Sequence, residues 1–380
     1  MENFNFQNPT RLHFGAGVTA NLSKRALLYG KKALLIYGKS SIIQNGLYAK
    51  ITEDLKNSGI EYFEYHGIKP NPLIEDVNNA AAIGRENNVD MIIAVGGGSV
   101  IDSAKIISLA IHFQGDAWDI ITGKAKPITA TPLLAVLTLA ATGTEMNPFA
   151  VVQNPKTQQK IGYGNPLIYP KESFLDPINT LTVSAAQTSN GITDTIAHSL
   201  EAWFGFGDAT LSDRFVVSII KEMIELTPQL LNDLSNIDLR SRMLFASTFA
   251  LNGITFLGRK SGDWGVHDIG HTLSVLYDLP HGATLSIAYP AWFKAVEPRI
   301  EDRLKKLGKE IFDVDSSDET ISSFETFFSK INSPILLNQV NIVKDKSLEI
   351  VSLLNKNKIT GGNIRLNELD YQKIVEKMFS

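Results

Sequence analysis

The chain of 380 residues contains no cysteine. That absence excludes disulfides, thiol nucleophiles and thiolate metal sites, so any bound metal must be held by nitrogen and oxygen. Neither sign of charge dominates: 36 Lys and Arg stand against 40 Asp and Glu, leaving a net charge of -4 and a pI near 6.0. Without a positive field, and without basic runs interleaved with aromatics, no nucleic-acid partner is expected. Long hydrophobic runs are missing as well. The longest strongly apolar stretch, Pro132 to Ala141, falls far short of the roughly 20 residues that cross a bilayer, so no membrane span is expected. Met1 to Phe6 offers neither a basic leader nor an apolar segment, and a cytoplasmic location is expected.

What is present is enough apolar sequence for two cores. Hydrophobic residues make up 44% and charged residues 20%, ordinary for a globular protein, and the length exceeds what one core organises. The first half alternates buried-strand and helix patterns: strands at Lys32 to Tyr37, Glu61 to Tyr65, Asp90 to Val95 and Leu133 to Leu137, with helices at Ala49 to Ser58, Asp76 to Asn87 and Val100 to His112. Such alternation predicts a mostly parallel sheet with helices on its faces, the usual support for a nucleotide. After about Thr182 the spacing turns helical throughout. Helices are expected at Ser184 to Trp203, Asp208 to Leu226, Leu239 to Asn252, Asp263 to Tyr277, Gly282 to Val296 (kinked or split at Pro290), Ile300 to Ile311, Asp318 to Lys330 and Glu368 to Met378. The expected architecture is an α/β N-terminal dinucleotide-binding domain, residues 1–183, followed by an all-α domain, residues 184–380.

Strand Asp90 to Val95 runs into Gly96-Gly97-Gly98-Ser99 and then a helix. Glycines there let the backbone approach a pyrophosphate, with free amides and the positive end of a helix dipole facing the anion. The loop is not a Walker A motif and lacks the Gly-x-Gly-x-x-Gly spacing, so it specifies a ligand class only. A second glycine-bearing turn, Ala141 to Asn147, follows the strand at Leu133 to Leu137 and, alone, reads as an ordinary turn. Beyond Lys32 to Tyr37, an NAD-selective site commonly offers a carboxylate to the ribose. Gly38-Lys39-Ser40-Ser41 offers room, a cation and hydroxyls instead, which favours NADP.

The chemistry concentrates further on. Asp194 and His198 stand four residues apart, as do His267 and His271, and His281 follows at a turn. Side chains at i and i+4 share a helix face, so each pair could grip one ion. Three histidines within fifteen residues, of seven in the chain, are hard to assign to packing. With Asp194 and His198 they fit a divalent ion held by one oxygen and several nitrogens, with a position open for substrate. Spacing does not decide which of His267, His271 and His281 bind. His13, His66 and His112 have no such partners and default to structural roles.

With these residues in view, the chain resembles the iron-containing (group III) alcohol dehydrogenases, and within them the butanol dehydrogenase and NADPH-dependent aldehyde reductase branch. The resemblance spans essentially the whole chain and is carried by Asn8-Pro9-Thr10, Phe14 to Gly17, Gly96 to Lys105, Thr142 to Glu145, Asp176-Pro177 and Gly262 to Gly282. It implies metal ligands at Asp194, His198, His267 and His281, leaving His271 beside the metal as candidate proton carrier. The implied cofactor contacts are Gly97, Gly98, Ser99, Asp102, Thr138, Thr142 and Lys160, and the Gly38-Lys39-Ser40 segment resembles that of NADP-using members. Leu139 and Thr144 depart from the family pattern, where threonine and serine are common. The expected reaction is metal-dependent, NAD(P)-linked interconversion of an aldehyde and a primary alcohol, with Fe2+ or Zn2+ as the ion, in a homodimer. Phe149, Phe256 and Trp264 are candidate apolar walls for the substrate. The alternatives are a zinc-dependent, NAD-linked polyol dehydrogenase of the glycerol type, a dehydroquinate synthase-like lyase, for which no basic cluster near the histidines is present, and a non-catalytic metal- or nucleotide-binding protein.

Overall fold

A computed structural model describes all 380 residues. Two compact units form: one from Gln7–Val183 with Ser235–Leu244, the other from Met1–Phe6, Ser184–Leu234 and Phe245–Ser380.

The first unit contains β1 (Arg11–Phe14), α1 (Leu22–Ala26), β2 (Lys32–Tyr37), α2 (Ser41–Gln44), α3 (Leu47–Asn57), β3 (Glu61–His66), α4 (Ile74–Glu86), β4 (Met91–Gly96), α5 (Gly98–Ala110), α6 (Ala117–Ile121), β5 (Leu133–Leu137), β6 (Phe149–Asn154), β7 (Gln159–Gly164) and β8 (Glu172–Leu175). Six strands make one sheet in the order β1-β8-β5-β4-β2-β3, and every neighbouring pair is parallel. Strands β2, β4 and β5 read as unbroken apolar runs because helices cover both faces of the sheet. On one face Leu35, Ile93 and Leu134 lie in register and pack, with Tyr37, Val95, Val136 and Phe174, against Leu22, Ile51 and Leu55 of α1 and α3. From β2 the chain leaves toward β3, and from β4 it leaves the opposite way toward β5. The point between β2 and β4 is therefore a switch point, where the strands' carboxyl ends open a crevice for a ligand.

Four strands went unread in the sequence: β1 and β8 at one edge, and the antiparallel hairpin of β6 and β7. The buried polar residues of β8 are satisfied inside the unit. Glu172 accepts from Tyr29 Oη (3.0 Å) and Arg25 Nη2 (2.5 Å) and pairs with His13 Nε2 (2.7 Å), while Ser173 Oγ donates to the Glu145 carbonyl. His112 pairs with Thr131 Oγ1 at 3.0 Å, and His66 stacks on Tyr37, so each of the three isolated histidines has a neighbour within this unit.

Beyond β8 every regular element is helical: α7 (Ala185–Trp203), α8 (Thr210–Asn232), α9 (Ile237–Ala250), α10 (Gly265–Tyr277), α11 (His281–Phe312), α12 (Ser317–Lys330), α13 (Ser347–Lys356) and α14 (Glu368–Lys377). The fold class expected from the sequence is the one observed. Two expectations are corrected. The helices expected at Gly282 to Val296 and Ile300 to Ile311 are one element, α11, of 32 residues passing through Pro290 and Pro298. Proline removes one ladder hydrogen bond and disfavours the preceding turn, but Tyr289, Ala291, Trp292 and Phe293 are all buried, and packing against α7, α10, α12 and α14 outweighs that penalty. Likewise α8 continues through Pro228 to Asn232. Helix α13 was not anticipated. No helix is long and apolar enough to cross a membrane.

Candidate active site

Helix α7 starts at Ser184, whose hydroxyl caps the Gln187 amide. Ile192, Ile196, Leu200 and Trp203 are fully buried, as an amphipathic helix requires, but so is the opposite stripe of Asp194, His198 and Glu201. A buried charged stripe is not a solvated face; it needs partners. They come from α10, which supplies His267 and His271, and from the first residue of α11, His281. Gly282 is what lets α11 begin there. A Cβ on it would lie 2.3 Å from the Asn190 carbonyl oxygen of α7, so only glycine admits so close an approach.

The result is convergence on one atom. Asp194 Oδ1 lies 3.8 Å from His198 Nε2, 3.8 Å from His267 Nε2 and 3.6 Å from His281 Nε2. These separations are too long for hydrogen bonds. They suit ligands sharing a central cation with bonds of about 2.1 Å, which sets tetrahedral ligand atoms about 3.4 Å apart. The candidate ligand atoms of Asp194, His267 and His281 all fall within 4.8 Å of one another. Asp194 Oδ1 and His267 Nε2 are buried without a hydrogen-bond partner. Buried polar atoms are rarely left so, and a cation between them removes the anomaly. The donor set of one carboxylate and three imidazoles fits Fe2+ or Zn2+.

Electrostatics point the same way. Burial would raise the Asp194 carboxyl, yet His198, His281 and His267 hold it well below the usual carboxylate range. His198 is pushed down to about 4, chiefly by burial, which keeps it the neutral imidazole a metal requires. Burial would also lower His267, but the carboxylates of Asp194 and Glu201 outweigh it and raise this ring to about 9, so the same negative surroundings that favour a cation hold a proton that metal binding must displace.

Glu201 shares the face of α7 that carries Asp194 and His198. Its Oε1 is 2.6 Å from His267 Nδ1 and accepts the His267 amide at 3.2 Å, while Oε2 accepts the Trp264 amide at 2.5 Å. One carboxylate thus caps α10 and orients a candidate ligand so that Nε2 faces Asp194. Trp264 sits in the left-handed region (φ 64°), a strained setting for so bulky a residue, which the Glu201 bond helps to hold. Its ring stacks on Phe256 (5.7 Å, 9°) and meets His198 and His267 edge-on. Asp263 was missed altogether. It accepts the amides of Asn363 (3.1 Å) and Ile364 (2.7 Å), tying the Gly361-Gly362 turn to the entry of α10. The signal available in sequence was position: Glu201 lies seven residues after Asp194, on the same face. Asp263 gave none. His271 is buried and stacks on His281 with centroids 5.2 Å apart, its Nδ1 3.5 Å from Asp268 Oδ1.

The expected cofactor residues gather at the carboxyl ends of three adjacent strands. Gly38 follows β2, Gly97 follows β4 and Thr138 follows β5, where its amide donates to the Gly96 carbonyl at 3.0 Å. Gly97 is extended and opens α5, so the amides of Gly98 and Ser99 stand at a helix N-terminus. A Cβ on Gly98 would lie 2.6 Å from Thr142 Oγ1, so the second turn packs directly on the first. Lys39 and Ser40 are exposed beside Gly38, and Lys160 Nζ on β7 donates to Asn71 Oδ1 at 2.9 Å. Asp102 is buried, with both carboxylate oxygens engaged inside the unit. Its Oδ1 accepts from Thr144 Oγ1 (2.6 Å) and its Oδ2 from the Val151 amide (2.9 Å). Of the candidate apolar walls, Trp264 lies against His198 and His267, Phe256 stacks on Trp264, and Phe149 lies half exposed on β6.

A parallel sheet with a glycine cradle at its switch point and a helical unit with an aspartate-histidine cluster together define a metal-dependent dehydrogenase. Family models agree. Residues 9–177 match iron-containing alcohol dehydrogenase, and residues 188–379 match the C-terminal model of the Fe-containing alcohol dehydrogenase family. The chain belongs to the iron-containing alcohol dehydrogenase family. It is 40% identical over 361 residues to the probable NADH-dependent butanol dehydrogenase 1 of Bacillus subtilis (strain 168), covering 93% of each chain. With the NADPH-dependent aldehyde reductase YqhD of Escherichia coli (strain K12) it shares 33% identity over 90% of each chain. Its fold superposes on the crystal structure of NADH-dependent butanol dehydrogenase A from Thermotoga maritima with a TM-score of 0.97, at 34% identity, covering 100% of this chain and 99% of that one.

Proposed function

We propose that the protein is an NAD(P)-linked, metal-dependent alcohol dehydrogenase that interconverts short-chain aliphatic aldehydes and primary alcohols, working in the cytoplasm as a homodimer. Residues 1–183 serve as the dinucleotide-binding domain and residues 184–380 as the metal-binding domain. The observation that carries the reading is the meeting of three imidazole nitrogens around one buried, unpartnered carboxylate oxygen, in a chain whose relatives are named as butanol dehydrogenases and an aldehyde reductase.

Asp194, His198, His267 and His281 would hold Fe2+ or Zn2+, which would supply Lewis acidity toward a carbonyl oxygen. A nicotinamide cofactor held in the glycine cradle would supply the hydride chemistry. The remaining work belongs to the side chains. Gly97, Gly98 and Ser99 present backbone amides to a pyrophosphate, Thr138, Thr142 and Lys160 add donors at the rim, and Asp102 steadies the loops around them. Gly38, Lys39 and Ser40 stand at the ribose end. A position without a carboxylate, with an exposed ammonium, favours the 2′-phosphate of NADP over the bare hydroxyl of NAD. Phe256 and Trp264 exclude water beside the ligand set. His281, the most exposed of the four ligands at 23%, marks the side from which substrate enters. With Nδ1 turned toward Asp268, His271 exchanges a proton with solvent at Nε2 as alcohol is made or consumed.

The test is direct. Purified protein is assayed for bound metal, and NADPH and NADH absorbance is followed with aldehydes of increasing chain length. Turnover that requires the metal, with NADPH favoured and the preference lost in Lys39→Ala, is expected. Metal-loaded protein that turns over no aldehyde with either cofactor refutes the assignment.

A further inference from the structure

One buried charge in the first unit has no part in the chemistry above. Lys105, on α5, is completely inaccessible to solvent. Its ammonium donates to Thr144 Oγ1 (2.7 Å), to the carbonyl (3.0 Å for Oδ1, 2.8 Å for the main chain) oxygens of Asn147, and to the Phe149 main-chain oxygen (2.6 Å). Four acceptors for three hydrogens is full engagement. Thr144 passes the connection on to Asp102 Oδ1 at 2.6 Å, and Asn147 Nδ2 donates back to the Gly143 carbonyl at 3.0 Å. Every acceptor lies on one segment, residues 144–149, and that segment continues the turn whose Thr142 presses against Gly98. Burying a lysine is unfavourable, and burial pushes this one down to about 7. A hydrophobic residue would fill the volume without that penalty, so the amine's value lies in where it holds the turn.

We propose that Lys105 is a positioning residue for the nicotinamide cofactor: it clamps the 142–149 turn to α5, so that this turn and the glycine loop form one preformed cradle. It touches no ligand itself. The idea rests on the reading of this loop pair as the dinucleotide site. Without the clamp the competent arrangement becomes one of several, and apparent affinity falls by its fractional population.

The test uses metal-loaded protein and measures NADPH and NADH binding by quenching of tryptophan fluorescence. Lys105→Met keeps the length and apolar stem but removes every donor. Losing charge-assisted hydrogen bonds of this kind is expected to weaken both cofactors about ten- to a hundredfold. The cofactor KM should rise more than kcat falls, and metal affinity should match the wild type. A folded Lys105→Met with unchanged cofactor affinity overturns the proposal, as does one that loses metal affinity in step. Should that variant fail to fold, Thr144→Val decides, because it breaks the link from Lys105 to Asp102 while leaving the ammonium; weaker binding restored by Thr144→Ser supports the clamp, and wild-type affinity in Thr144→Val overturns it. A wild-type protein that binds neither dinucleotide refutes the cofactor reading itself, a result distinct from either variant's.

Discussion

Replacing Glu201 by glutamine isolates the role of a residue that touches a metal ligand but is not one. The substitution keeps size and shape and removes the charge. Glu201 accepts from three groups on the first turn of α10, the Trp264 amide, the His267 amide and His267 Nδ1, at 2.5, 3.2 and 2.6 Å. A glutamine has one accepting oxygen. Whichever way its amide turns, an N–H of the side chain must face an N–H of α10, and a buried donor loses its acceptor at a cost of about 1–3 kcal/mol. If the oxygen stays on His267, the Trp264 amide is orphaned and the strained left-handed backbone there loses its restraint. If it turns to Trp264, the His267 ring loses the bond that directs Nε2 at Asp194. Substitution of such outer residues weakens metal binding about 10- to 100-fold, equivalent to about 1.4–2.7 kcal/mol. The assay is competition between protein and a chelator of known affinity for Zn2+, without cofactor, on wild type and Glu201→Gln. Circular dichroism of the metal-free proteins confirms the fold. A folded variant whose Zn2+ affinity lies within twofold of wild type would refute the reasoning.

Further expectations concern other parts of the molecule. His271→Ala should lower kcat about 100-fold or more and alter the pH profile while leaving metal stoichiometry intact; unchanged rate and profile remove His271 as proton carrier. Gly282→Ala places a methyl 2.3 Å from the Asn190 carbonyl oxygen, so α11 must shift. A loss of roughly 1–3 kcal/mol is expected, with weaker metal binding through the displaced His281, and a thermal scan paired with the chelator titration would expose a variant that loses neither. Asp213 binds Arg259, Arg303 and Lys306 at 2.5 to 3.0 Å. Burial would raise its carboxyl, but the hydrogen bonds from Arg303 and Arg259 hold it well below the usual range. Asp213→Asn leaves the buried Arg259 without its counter-charge and should destabilise the chain by roughly 3–5 kcal/mol at neutral pH. Because the native carboxyl titrates below the unfolded one, that stability is present above about pH 4 and lost as the pH falls through the native value. Urea unfolding of the metal-free proteins should therefore show wild type and variant converging in acid; a gap that widens on acidification contradicts the account.

Legibility in the sequence followed burial. Strands β2, β4 and β5 announce themselves as apolar runs because both their faces are covered, and the i, i+4 pairs of α7 and α10 give away Asp194, His198, His267 and His271. Strand β8 does not, because Glu172 and Ser173 are buried with partners as distant in sequence as His13 and Arg25. A polar residue satisfied by long-range bonds looks the same, in sequence, as one in a loop. Helix α11 hid for the opposite reason. Local proline chemistry argues for a break, and only the packed aromatic face of Tyr289, Trp292 and Phe293 overrides it. Spacing alone could not separate His271 from the convergent set. The three-dimensional distinction is which Nε2 lies within 4 Å of Asp194 Oδ1: those of His198, His267 and His281 do.

The candidate ligands and their supports, Glu201 and Asp263, all belong to the second unit, while the glycine loop, the 142–149 turn and Lys105 belong to the first. No side chain supporting one set hydrogen-bonds through Glu201 or Lys105 to the other, since the acceptors of Lys105 lie within residues 144–149 and the donors to Glu201 within residues 264–267. Mutational effects without shared partners add. Glu201→Gln should therefore act on metal affinity and Lys105→Met on cofactor affinity, and the double variant should show each deficit at its single-variant size. Hydride transfer needs both groups at once, so in kcat/KM the two losses should multiply. An interaction energy beyond about 0.5 kcal/mol in the binding measurements would mean that the two supports share a coupling that their separate hydrogen bonds do not contain.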